Sequence, residues 1–162
     1  MEWEKNGDKM KIEGQDWFYS NEVKEHFMNP KNILKDKKQL KKFDAYGIVG
    51  NMKCGDIMEM WLQIKNDKII DCKWKTFGCA SAIASTSMLS VMLTENKGIK
   101  LIDALKIKAS DITKRLNGLP AIKVHCSVLG DEALRHAIWD YKIKNKRDDI
   151  EMKKPIKIEN NH

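Results

Sequence analysis

Cysteine is sparse in this chain, with four residues in 162, too few for a disulfide scaffold. No two of them form a C-x-x-C pair, and the nearest neighbours are Cys72 and Cys79. Permanent structural zinc sites usually carry such tight local spacing, so a metal that only staples the fold is not expected. No apolar run approaches the length of a membrane span. The first fifteen residues contain no apolar signal segment, and Glu2, Glu4, Asp8 and Glu13 make them too acidic for a typical transit peptide. Reduced thiols in the cytoplasm are the expectation, or in the mitochondrial matrix if the source is eukaryotic. Aromatic–basic stacking motifs are missing as well. The net charge of +7 comes from lysines spread along the chain and mixed with acids, which reads as compositional bias. Neither nucleic acid nor membrane is an expected partner, and there is no internal repeat.

What is present is globular: 42% hydrophobic and 33% charged residues, in a length suited to one domain able to bury a core. Residues 1–16 read as a flexible polar arm, 17–145 as the folded domain, and 146–162 as a charged, disordered tail. Ser20 is placed to cap a helix through Val23, Phe27 and Met28, which Asn29-Pro30 ends. The lysine-rich stretch 31–42 reads as a solvated loop. Ile57–Lys65 and Ile69–Phe77 alternate apolar and polar residues around Asn66-Asp67-Lys68, the pattern of an antiparallel hairpin. In the second strand, Ile70, Cys72 and Trp74 share a face. Another strand is expected near Tyr46–Val49. Ser81–Glu95 reads as a helix stopped by Gly98. Short helices follow at Ile102–Lys106 and Ser110–Leu116, and a last helix capped by Ser127 runs to Tyr141. Strands grouped before helices predict an α+β fold, a small three-stranded antiparallel sheet with helices packed on one face.

That order leaves three thiols at loop positions. Cys54 precedes a strand, Cys79 lies between a strand and a helix, and Cys126 begins a helix. Asp56 is separated from Cys54 by one glycine, and His125 adjoins Cys126. Three thiolates, an imidazole and a carboxylate suit zinc or iron–sulfur chemistry, with one hard donor in a soft set. A helix N-terminus favours thiolate, which makes Cys126 the strongest candidate for reactivity. Cys72, facing Trp74, reads as core packing, and His26 and His136 as surface or satisfied core residues.

Five segments, from Tyr19 to about residue 142, resemble the IscU family of iron–sulfur cluster scaffolds and the N-terminal domain of NifU. They are Tyr19-Ser20-Asn21-Glu22-Val23, Asn29-Pro30-Lys31-Asn32, Gly50 through Cys54-Gly55-Asp56, Thr76-Phe77-Gly78-Cys79-Ala80-Ser81-Ala82-Ile83-Ala84-Ser85, and Lys123-Val124-His125-Cys126-Ser127-Val128-Leu129. The resemblance implies a scaffold without catalytic turnover. It would hold a transient [2Fe–2S] cluster on Cys54, Cys79 and Cys126, with Asp56 and His125 as further ligands. Cys126 would accept persulfide sulfur from a cysteine desulfurase, and Fe2+ would be the iron source. Zn2+ would occupy the same thiolates in purified protein. The implied partners also include a frataxin-like protein, a ferredoxin and acceptor apo-proteins. An Hsp70/J-type chaperone pair would dock on Leu119, Pro120, Ala121, Ile122 and Lys123, although this segment departs from the usual Leu-Pro-Pro-Val-Lys. Ala80 stands where glycine is common. The alternative is a zinc-dependent sulfur acceptor of the SufU type, against which stand His125 and the lack of that branch's insertion.

Overall fold

The computed structural model describes residues 9–12, 15–51, 55–119 and 125–156, with backbone alone at 9–12, 15–18, 51 and 125–128. Lys9–Ile12 (β1) and Gln15–Phe18 (β2) pair as an antiparallel ribbon. The reading of 1–16 as a flexible arm is corrected over these residues. Helix α1 spans Asn21–Met28. Ser20 accepts from the Val23 N–H at 3.1 Å and donates to the Leu116 carbonyl, so the cap also pins the helix to a distant turn.

Ala45–Asn51 (β3), Asp56–Lys65 (β4) and Lys68–Phe77 (β5) form the antiparallel sheet, followed by α2 over Ala80–Thr94. A short strand β6 at Ile99–Lys100 joins the edge. The sheet order is β3-β4-β5-β6, four strands where the pattern predicts three. Two residues are too few to show a period. Then come α3 over Leu101–Ala104, α4 over Ala109–Arg115 and α5 over His125–Lys144. Helix α5 begins before Ser127, so that residue lies in the first turn and is not the cap.

The sheet buries one face. Met58, Met60, Leu62, Ile69, Cys72 and Trp74 are fully enclosed there, each large apolar side chain contributing roughly 1.5–3 kcal/mol. Leu62 pairs with Cys72 and Ile64 with Ile69, which leaves Ile70 as the extra residue of a β-bulge. The bulge turns Ile70 outward and puts Ile69 in the core, where strict alternation predicts the reverse.

Helix α2 is enclosed on nearly every side, which explains its small residues. Most of its buried hydroxyls find partners, and the Ser85 hydroxyl is buried without one among the described residues. Thr86 donates to the Ala82 carbonyl at 2.8 Å, and the Ser87 hydroxyl accepts from the Lys31 N–H at 2.8 Å. His26 Nδ1 lies 2.7 Å from Ser87 Oγ, a satisfied core histidine. The 31–42 stretch is less loose than its lysines suggest. Trp74 Nε1 donates to the Lys31 carbonyl at 2.7 Å, Ile33 bridges Trp74, and Lys37–Lys42 forms a 3-10 helix capped by Asp36.

Helix α5 lies directly on β3. A Cβ at Gly47 would meet the Ala133 carbonyl oxygen at 2.3 Å and the Ala137 nitrogen at 2.5 Å, so only glycine allows this approach. Asp140 accepts from the Tyr46 N–H at 2.9 Å. Beyond α5 the chain stays engaged, which corrects the reading of 146–162 as a disordered tail over its described part. Arg147 bridges Asp67 and Asp149, each at 2.6 Å, and Lys142 donates to the Ile150 carbonyl at 2.7 Å. Ile150 is buried and Met152 packs on the core.

Candidate functional site

Asp56 opens β4 immediately after Gly55, whose φ of +71° is left-handed and suits glycine. This turn follows Cys54, which lies outside the described residues. Asp56 is only 5% exposed. A Cβ on Gly78 would come within 3.2 Å of the Asp56 carboxyl carbon and 3.3 Å of its Oδ1. The carboxylate therefore rests on the bare backbone of the β5–α2 turn, one residue before Cys79. Cys79 is half-buried and occupies the N-cap position of α2 in extended conformation. The structure thus brings Asp56 and the Cys79 turn together, and the missing side chain at Gly78 is what allows it.

The path of α5 carries His125 and Cys126 toward the same end of the sheet. Tyr46 bonds Asp140, and Gly47 touches Ala133 and Ala137. Gly130 packs on Thr86, whose hydroxyl reaches Met58 Sδ at 3.3 Å. Advancing along β3 from Tyr46 toward Val49, the partner of Met58, the helix retreats toward its N-terminus. Its first turn is therefore directed to the end where β4 begins and β5 stops. Among the described residues no three His, Cys, Asp or Glu side chains form a metal-holding group. Cys54 and the side chains of His125 and Cys126 fall outside that search. Leu119 is half-buried against the core, and Pro120, Ala121, Ile122 and Lys123 lie outside the described residues.

Cys72 is fully buried below the sheet, and burial, followed by the nearby Asp71 charge, pushes its thiol well above the ordinary range. It is unsuited to attack or ligation at neutral pH. What the sequence reading missed is the surface beside the site. Ile57 and Phe77 are directly paired across β4 and β5, with Ile48 on the diagonal. They are 46%, 74% and 50% exposed. Their outward register, opposite to Met58, was the signal available.

Known proteins resemble this chain in sequence and fold. The family model of the NifU-like N-terminal domain covers residues 18–148. The chain belongs to that family. It is 44% identical over 131 residues to the iron–sulfur cluster assembly scaffold protein IscU 1 of Archaeoglobus fulgidus, covering 81% of both chains. It is 46% identical over 134 residues to the IscU scaffold protein of Rickettsia prowazekii, covering 80% of this chain and 98% of that one. The crystal structure of a NifU-like N-terminal protein from Brucella abortus shares the fold, with a TM-score of 0.56 at 18% identity over 77% of this chain and 94% of that one.

Proposed function

We propose that this NifU-like domain is a scaffold on which a transient [2Fe–2S] cluster is assembled and then passed to acceptor apo-proteins. The observation that carries the reading is the Asp56 carboxylate seated against the Gly78–Cys79 turn, at the end of the sheet toward which α5 directs His125 and Cys126. Cys54, Cys79 and Cys126 would supply soft thiolates, with His125 and Asp56 as exchangeable donors. A single hard oxygen among thiolates binds iron more weakly, which suits cargo that must leave. The relatives named as scaffolds support the same reading.

Cys126 would receive sulfur. Its thiolate attacks the outer sulfur of a desulfurase persulfide. The new S–S bond forms as the old one breaks, and the desulfurase thiolate leaves, with no net redox change. Reducing each transferred sulfur to sulfide takes two electrons, a role for a ferredoxin, while Fe2+ delivery suits a frataxin-like partner. The apolar rim of Ile48, Ile57 and Phe77 adjoins the site and is suited to docking the desulfurase. An Hsp70/J-type pair would act on 119–123 at release. The setting is cytoplasm, or the mitochondrial matrix in a eukaryote. Among the described residues no helix is long and apolar enough to cross a membrane.

Anaerobic incubation with a cysteine desulfurase, cysteine and Fe2+ tests the proposal. Absorption and Mössbauer spectra of one [2Fe–2S] cluster are expected. Tightly held zinc that activates sulfur transfer, with no cluster formed, would instead support the SufU-type alternative.

A further inference from the structure

The end of the sheet remote from the thiols carries its own cavity. It occupies about 620 Å³ between the β4–β5 turn, β6, α3 and the segment after α5. Asp56 and Lys65 bound a ten-residue strand, which puts the two ends about 30 Å apart. The floor is apolar, built from Leu101, Ile102, Leu105 and Ile150. The rim holds an unusual pair of lysines. Lys68 and Lys100 are directly opposite each other across β5 and β6, and like charges so placed repel. Neither has an ion-pair partner among the described residues. Arg147 is held between Asp67 and Asp149, a trio that keeps one carboxylate charge in excess. Lys106, 3.9 Å from Asp103, and Glu151 complete the lining, which carries a net charge of +1 with Lys68 and Lys100 as its ammonium groups that no carboxylate among the described residues holds.

The geometry points to a second binding site, for a small anion with an apolar body, headed by a carboxylate or a phosphate. The paired ammonium groups supply the charge that such a head neutralises. The four aliphatic side chains supply a floor of the size that ordinary small-ligand pockets have. The site is independent of the cluster reading, being at the other end of the molecule.

Decanoate and decyl phosphate are the probes, titrated into the intact protein and followed by amide NMR shifts. Saturable binding is expected, with the largest shifts at Leu101, Ile102, Leu105 and Ile150. Whichever head binds more tightly identifies the ligand class. Butyrate, which keeps the carboxylate and loses the tail, should bind at least tenfold more weakly. Lys100→Glu should weaken decanoate at least tenfold while leaving Tm no lower than wild type, because it replaces a repelling pair with an attracting one. A second variant, Lys68→Gln/Lys100→Gln, removes the charge without reversing it and should also lose binding. The proposal is overturned if binding is not saturable, if both lysine variants bind like wild type, or if the shifts centre on Ile48, Ile57 and Phe77.

Discussion

Replacing Gly78 with alanine tests whether the floor under Asp56 sets the site. The new Cβ would stand 3.0 Å from the Ala82 Cβ, 3.2 Å from the Asp56 carboxyl carbon and 3.3 Å from Oδ1. Comfortable carbon contacts are nearer 3.5–4.0 Å, so each neighbour must yield by several tenths of an ångström. Ala82 is fully buried in the first turn of α2 and has little freedom to yield. Glycine-to-alanine replacement stabilises by about 0.4–1 kcal/mol through the unfolded chain, while overpacking a filled site costs about 1–3 kcal/mol. The net loss should be about 1 kcal/mol, a fall in Tm of about 2–4 °C for a chain this long.

The pattern across variants is more telling than the single value. Gly50→Ala is the control, since its Cβ would meet the Asp56 carbonyl oxygen at 3.6 Å and Ile57 Cγ1 at 3.8 Å, ordinary contact. It should leave Tm unchanged or slightly raised. Removing the carboxylate with Asp56→Ala deletes one of the two clashes, so Gly78→Ala should cost less in that background, a measurable coupling. Circular dichroism melts give Tm, and zinc release to a chromophoric chelator reads the site. Gly78→Ala should release zinc faster than the control. Equal melting and equal release for Gly78→Ala and Gly50→Ala, with no coupling to Asp56, would falsify the idea that Gly78 seats the carboxylate.

Cys126→Ser should abolish persulfide on this protein after incubation with desulfurase and cysteine, while Cys72→Ser leaves it intact; wild-type persulfide on the Cys126 variant, by mass spectrometry, would remove the assignment. Asp56→Ala should give a cluster that persists longer in air and transfers more slowly to an apo-ferredoxin, because the one hard donor is gone; faster loss would mean that Asp56 retains the cluster. Phe77→Asp should cut cluster yield several-fold when a desulfurase supplies the sulfur and leave the yield with chemical sulfide unchanged; equal yields in both arms would put the docking surface elsewhere. Burial, then the charges of Lys31 and Arg115, lowers the His26 pKa. The unfolded state binds the proton more readily, so stability is full above the unfolded pKa of about 6.5 and falls as pH drops below it. Urea midpoints at pH 7.5 and 5 should differ less in His26→Gln than in wild type, and an equal difference would show that other groups carry the acid sensitivity.

How much of this was legible in the sequence follows from what each feature leaves in it. The hairpin of β4 and β5 announced itself because a strand buried on one face must alternate, and Met58, Met60 and Leu62 do. Helix α2 showed through its change of period and its stop at Gly98. The bulge at Ile70 did not show, because one extra residue looks like continued alternation and only the pairing of Ile64 with Ile69 reveals it. Strand β6 was too short to have a period. The β1–β2 ribbon was hidden because its strands are four residues each, too short to show a period. The clasp at 147–152 was hidden for a different reason. Its partners lie far along the chain, as Asp67 does from Arg147, and local composition carries no record of a contact eighty residues away. The same distinction applies to the site. Residue types and loop positions made Asp56 and Cys79 candidate donors, since chemistry is written in side-chain identity. Gly78 contributes by having no side chain, so its role exists only once the Asp56 carboxylate is folded onto it. Ligand identity is thus a property of the sequence and ligand placement a property of the packing. Variants at the two kinds of position should accordingly separate loss of chemistry from loss of geometry.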